Sequence, residues 1–334
     1  MKIKFEELKY ELKQILLQNG LNEEQAEICS MTHAQASQDG VTSHGVNRIP
    51  RFIEYIRKGW INLKAEMELL NKFSVIETYD GHRGIGIVNA KKASERAIDL
   101  AKENGIGIVT LRNTTHWMRG GSYILDMVDQ GFMGISWSNT ESCMPPWGAK
   151  EQSIGNNPIC MGIPRKNNPI LLDMAESQFS WGKIQTTRMN KEQLPFPGGF
   201  NTIGEITKDP SEIEESRRIM PMGYWKGSGF AILLDLFSSI LSNGNTTAMI
   251  DKINQGSGTG SSQVFIAFDP RYFITEMQME KIIEETIYNI KNSESTHQGV
   301  EVRYPGEGQS NNRNVSDNEG IYVDDSIWKK IKIL

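Results

Sequence analysis

The sequence predicts an α/β fold preceded by a helical N-terminal region, on three observations. Apolar residues recur at three- and four-residue spacing through the first 60 positions, which is the period of one buried helical face. From about residue 74 short β-branched strands alternate with helices, beginning with an alanine-rich one. Asn-Gly pairs and single glycines stand where those helices would have to stop. A chain of 334 residues is long enough for two subdomains. They are expected at 1–72, helical, and at 73–309, with 310–334 packing back on the first.

Phe5, Leu8, Leu12, Ile15 and Leu16 make the stripe of a first helix, stopped by Asn19-Gly20. Asn22 with Gln25 three residues later is a capping-box pattern, opening a second helix through about residue 38. Ile49, Phe52, Ile53 and Ile56 define a third, ended by Lys58-Gly59. With Asn47 as its cap, Pro50 falls in the first turn, where a missing N–H is tolerated. Strands are then expected at 74–80, 106–111, 132–138, 158–163, 170–174 and 264–268, and helices at 88–104 and 122–129. The pattern is compatible with a mixed sheet. Segments 186–220, 242–262 and 291–320 are polar and aperiodic, and read as loops that line, cover or bridge a site.

The bulk numbers exclude several classes. A net charge of -5 with a pI near 5.7 leaves no basic footprint for nucleic acid or an anionic membrane. The first ten residues are charged throughout, and the longest apolar-rich run, 229–241, is too short for a bilayer and contains Asp235. Three cysteines without a Cys-x-x-Cys pair make no disulfide framework. A soluble, cytoplasmic chain is expected, with neither a nucleic-acid nor a membrane partner.

The densest chemistry lies in Asp39-Gly-Val-Thr-Ser-His-Gly-Val-Asn-Arg-Ile-Pro. His44, Arg48 and Phe52 follow one another at four-residue steps, which sets a proton donor beside a carboxylate anchor on an inward row. Reduction of a 2-oxo acid requires that pair. A structural histidine and an arginine paired with a protein carboxylate fit the same spacing. His116 follows a strand, at the carboxyl end where open α/β sheets collect ligands, as does the weaker candidate Ser138-Asn139. Asp173 ends an apolar strand, placed to bond a cofactor or to cap the next helix. Lys226-Gly-Ser-Gly opens an apolar helix, where backbone N–H groups suit a phosphate and where a packing turn would look the same. A Gly-x-Gly-x-x-Gly after a strand is absent, so a dinucleotide would need another scaffold than a Rossmann unit. The five histidines show no His-x-x-x-His spacing, and no metal is expected.

At Ser43-His-Gly-Val-Asn-Arg, Asn113-Thr-Thr-His-Trp-Met-Arg-Gly-Gly-Ser-Tyr, Met144-Pro-Pro-Trp-Gly-Ala-Lys, Gln193-Leu-Pro and Arg218-Ile-Met-Pro-Met-Gly-Tyr-Trp-Lys-Gly-Ser-Gly, the chain resembles the malate/L-lactate dehydrogenase family. The likeness runs on to Val323-Asp-Asp-Ser-Ile-Trp and so covers essentially the whole chain. It implies a non-Rossmann nicotinamide-binding fold with a predominantly antiparallel sheet, and a homodimer using NADH or NADPH on a small 2-oxo acid. The Trp-Met-Arg-Gly-Gly and Gly-Tyr-Trp-Lys-Gly-Ser-Gly segments point to a subgroup that reduces 2,3-dioxo-L-gulonate. His44 matches the family's proton donor. Cofactor contacts carry over onto Pro169, Ile170, Leu171, Leu172, Asp173, Met174 and Ala175, onto Trp225 and Lys226, and onto Gly306, Glu307 and Gly308. At the last place the family pattern Gly-His-Glu is replaced by Gly-Glu-Gly. Arg48 would hold the substrate carboxylate, and His116 would complete the catalytic set. The alternatives are a reductase for another 2-oxo acid, of malate, lactate or ureidoglycolate type, and a metal-dependent hydrolase or lyase built on His44 and His116. A non-enzymatic interaction protein is a third.

Overall fold

The computed structural model describes residues 1–297 and 299–334. Gln298, inside the third aperiodic segment, lies outside the described residues. Helix α1 (Phe5–Gln18) forms where the stripe predicts and α2 (Glu23–Gln38) where the capping box does, which closes with Gln25 N donating to Asn22 Oδ1 at 2.9 Å and Asn22 N donating to Gln25 Oε1 at 3.0 Å. The third helix departs from expectation. Val46–Arg48 make a tight 3₁₀ turn, and α3 (Ile49–Arg57) starts from Arg48, not from a capping Asn47, which is exposed. Pro50 still falls in the first turn. Ser37 accounts for the tighter turn, because its hydroxyl already accepts the Val46 N–H at 2.8 Å.

A hairpin of β1 (Glu68–Phe73) and β2 (Ile76–Asp80) follows. The expected strand at 74–80 starts late because Ser74 takes a left-handed φ of 52° in the turn. Helix α4 (Gly86–Asn104) ends at Gly105, φ 81°. Then come β3 (Ile106–Thr114), α5 (Gly120–Asp129), β4 (Met133–Ser138), β5 (Ile159–Ile163) and β6 (Ile170–Met174). After α6 (Trp181–Met189), α7 (Pro210–Ser216), α8 (Trp225–Ser242) and α9 (Thr247–Ile253), strand β7 (Ser261–Phe268) returns to the middle of the sheet. Helices α10 (Glu276–Lys291), α11 (Glu307–Glu319) and α12 (Asp325–Lys332) close the chain. The aperiodic segments are thus not loops throughout. They hold α7, α9 and α11, two of them seven residues long and the third polar with no buried residue.

The sheet order is β1-β2-β3-β7-β4-β5-β6. Strands β2 and β3 run parallel and the other neighbours antiparallel, so the sheet is mixed and predominantly antiparallel. Helices α4 and α5 cover one face through Ala97, Ile124 and Met127 against Val109, Leu171 and Phe265. Helix α8 covers the other, Leu234 meeting Trp137, Ile159 and Val264. The C-terminal segment returns to the N-terminal helices: Lys2–Ile3 pairs with Ile321–Tyr322, and Val323 and Ile331 pack among Leu8, Leu12 and Ile53. Each such fully buried aliphatic side chain contributes about 1.5–3 kcal/mol. Among the described residues no helix is long and apolar enough to cross a membrane.

Candidate active site

His44 sits on a turn that α2 builds from below. Gly45 has no room for a side chain, since a Cβ would lie 2.2 Å from Ser37 Oγ and 2.8 Å from Ser37 N. The turn can therefore seat directly on the helix. Ser37 Oγ donates to His33 O at 2.8 Å and accepts from Val46 N. Buried His33 faces the His44 and Gly45 carbonyls, each 3.1 Å from Nδ1. Carbonyls only accept, so His33 Nδ1 carries the proton, and the ring is neutral because burial pushes its pKa down to about 4. The His44 peptide is thereby fixed on both sides. Its ring has Ser43 Oγ 3.1 Å from Nδ1, and a hydroxyl can either donate to the neutral ring or accept from the protonated one.

The ring of His116 stacks on that of His44, centroids 5.7 Å apart and planes 24° from parallel. Met118, held at φ 63°, turns its N–H back to His116 Nδ1 at 2.9 Å. A backbone N–H only donates, so the neutral His116 tautomer carries its proton on Nε2. Burial, then the Arg48 guanidinium, push His44 down to about 4, while Asp173 opposes them. Burial and Arg48 hold His116 well below its ordinary value. Arg48 is half-buried, and among the described residues no carboxylate pairs with it. Burial lowers its pKa as well. Two neutral imidazoles and a guanidinium with no paired carboxylate among the described residues thus lie within electrostatic reach of one another. The helical row expected for His44 does not form, since the residue lies on the turn before α3, but the two side chains still meet electrostatically.

Asp173 caps a helix, though not the next one: Gly121 N of α5 donates to its Oδ2 at 3.1 Å, and Arg119 Nε lies 3.6 Å from the same atom. It faces His44 as a charge. The other members of the 169–175 segment offer mainly backbone, since Leu171 is buried in the core and Ile170 packs beside Tyr304. Gly306, φ 93°, abuts this strand so closely that a Cβ would lie 2.9 Å from Leu171 N. Glu307 is engaged elsewhere, accepting from Lys291 Nζ at 2.8 Å, and Gly308 is open. Pro169, Leu171 and Gly306 line a small cavity together with Asp39, Gln309 and Arg313. Trp225 and Lys226 stand exposed at the start of α8, whose Gly227 leans on Glu176 O, just past Ala175. The three segments are therefore strung along β6. Asn139 is occupied as a structural hub, bonding Asp235, Asn245 O and Ser262 N, and Ser138 Oγ donates to Asn139 O at 2.9 Å.

These residues fit a nicotinamide dinucleotide. Ser122 Oγ, Ser136 Oγ, Ser261 Oγ and both polar atoms of Gln263 are buried without partners among the described residues. By strand alternation Ser136 and Gln263 face the α4/α5 side, where Trp117, next to His116, packs 5.8 Å from Phe265. Buried polar atoms left bare cost about 1–3 kcal/mol each, a cost that a polar ligand removes. Sequence reasoning passed over His33, which holds the His44 turn, and the buried, unpartnered Glu176 and Gln263. The available signals were a glutamine directly before the apolar run 264–268 and a histidine four residues after Cys29. Among the described residues no group of three or more His, Cys, Asp or Glu is placed to hold a metal ion.

Comparison with known proteins agrees with this geometry. Residues 3–332 match the malate/L-lactate dehydrogenase family. The chain is 42% identical, over the full length of both, to 2,3-diketo-L-gulonate reductases of Klebsiella pneumoniae and Escherichia coli. It superposes on the sulfolactate dehydrogenase of Methanocaldococcus jannaschii with a TM-score of 0.88 at 30% identity, covering 100% of this chain and 96% of that one. For the malate dehydrogenase of Pyrococcus horikoshii the TM-score is 0.91 at 27% identity, with coverages of 100% and 94%. The family match spans nearly the whole chain and the relatives align over their full length, and the chain belongs to the malate/L-lactate dehydrogenase family of oxidoreductases.

Proposed function

We propose that this protein reduces 2,3-dioxo-L-gulonate to 3-dehydro-L-gulonate at C2, using NADH or NADPH. The observation that carries the reading is Arg48, a half-buried guanidinium with no carboxylate in ion-pair contact among the described residues, whose charge acts on the stacked His44 and His116. A 2-oxo acid supplies the missing anion. Arg48 grips its carboxylate, in a fork if both oxygens are reached, and so fixes the neighbouring carbonyl. Hydride for C2 is the chemistry a reduced nicotinamide supplies when bound. The backbone of residues 169–175, with Trp225, Lys226 and 306–308, would hold that cofactor. His44 delivers the proton to the developing alkoxide, and the His116 Nε2–H donates a hydrogen bond to the same oxygen. General acid help of this kind is worth roughly 10²–10⁴-fold.

The low pKa of His44 makes the acid conditional. Arg48 disfavours the imidazolium in the free protein, and a bound carboxylate offsets that charge. The pKa of His44 therefore rises when substrate arrives. The three cysteines are free, which accords with a reducing cytoplasm. The exposed apolar side chains of α8, Leu233, Phe237 and Ile240, are the surface we assign to a second copy in a homodimer.

Kinetics of two variants test the reading. His44→Ala should lower kcat by about 10²–10⁴-fold while NADH binding, followed by fluorescence, is retained. Arg48→Lys should act mainly on KM, raising it roughly tenfold or more, because a point charge replaces a fork. In the wild type the pKa seen in kcat should lie above that in kcat/KM, with activity falling as pH rises through it. Undiminished turnover in His44→Ala would overturn the assignment.

A further inference from the structure

We infer that Glu141 is a specificity-determining residue of this site, accepting hydrogen bonds from the hydroxylated tail of the substrate and repelling a second carboxylate. The inference rests on the 2-oxo acid reading above. The segment 140–142 leaves β4 and is pinned on both sides. Thr140 N donates to Asn157 Oδ1 at 2.9 Å, Thr140 O accepts from Thr247 Oγ1 at 2.9 Å, and Ser142 N donates to Asp251 Oδ1 at 2.9 Å. Between these anchors the Glu141 side chain turns to the glycine-rich loop before β7. Its Oε2 accepts from Gly258 N at 2.8 Å. Gly258, φ 70°, lies on His116, since a Cβ there would be 3.2 Å from the ring Cδ2. One residue therefore separates the carboxylate from the catalytic ring, and its charge acts on Arg48.

Among the described residues Glu141 Oε1 has no hydrogen-bond partner, and no ion pair joins the side chain to Arg48 or Arg51. A loop staple alone needs only one oxygen, which a glutamine would supply. Glu141 is half-buried, and the oxygen that does not bond Gly258 N is left available to accept from a ligand at the His116 side. While Arg48 takes the carboxylate next to the reacting carbonyl, the opposite end of the substrate meets Glu141. Hydroxyl groups donate to it. A carboxylate there is repelled, and an apolar tail gains nothing.

The test compares 2,3-dioxo-L-gulonate with oxaloacetate on the wild type and on Glu141→Gln, which keeps the bond to Gly258 N and removes the charge. The ratio of kcat/KM between the two acids should fall at least about tenfold, mainly through a lower KM for oxaloacetate. A merely structural loop defect would slow both acids alike. A ratio within about twofold of the wild type, in a variant that still turns over, overturns the role of Glu141 and leaves the 2-oxo acid reading standing. A wild type that oxidises neither NADH nor NADPH with either acid removes both.

Discussion

Glu176 follows the segment proposed to hold the cofactor, with both carboxylate oxygens buried and without partners among the described residues. Burial pushes its carboxyl up to about 7. The sign follows from linkage. A carboxyl raised in the folded state leaves stability intact below its unfolded pKa of about 4.5, and stability is lost as pH rises through about 7. Glu176→Met, of similar length and without the charge, should therefore raise stability by about 1–3 kcal/mol at pH 8 and much less at pH 5, as read by urea titration. Equal gains at both pH values would contradict the assignment. At this scale the sequence was informative where residue type alone decides chemistry. His44, Arg48 and His116 could be named as candidates from residue type and position, although structural roles fit the same pattern. His33 and Glu141 could not, since their meaning lies in which atoms they face.

The histidine turn shows how one element positions another. Gly45 seats the turn on α2, with Ser37 and His33 completing the hold. Gly45→Ala puts a methyl group into the Ser37 hydroxyl and backbone, so the turn must lift and carry His44 with it. We expect kcat to fall at least tenfold together with a loss of about 1–3 kcal/mol in stability, seen by steady-state kinetics and thermal unfolding. An unchanged kcat would mean that the turn does not set the geometry of His44. Elements marked by an apolar stripe, a capping box, an alanine-rich run or a short apolar run, α1, α2, α4 and β6, were legible in the sequence to within a few residues. Strand β1, exposed along its length, and α11, polar on every side, were not, because neither buries a face that leaves a pattern.

Over the whole molecule, Asp39 joins three distant parts of the chain. It ends α2, pairs with Arg119 before α5, and receives Arg313 of α11 at 2.7 and 2.9 Å. Arg119 is almost fully buried, and its remaining polar partners are Gln309 Oε1 at 2.8 Å and Asp173 at 3.6 Å. Removing one member of such a pair strands a charge in the interior. Asp39→Ala should cost about 3–5 kcal/mol, measured as a shift of the urea midpoint, far more than an exposed ion pair such as Lys2–Glu319 contributes. A loss under about 1 kcal/mol would show that the three parts hold together without it.

Periodicity and residue type by themselves determined the α/β class, the three N-terminal helices and the catalytic candidates. Buried faces and special chemistry are local properties, and they are written locally. The strand order, the way the chain's two ends close on each other, and the positions of Gly306, Lys226 and Asp173 along one strand were decided only in three dimensions. Each depends on partners far away in the chain. The carboxylate of Glu141 acquires its meaning when a loop from residue 258 is folded onto it.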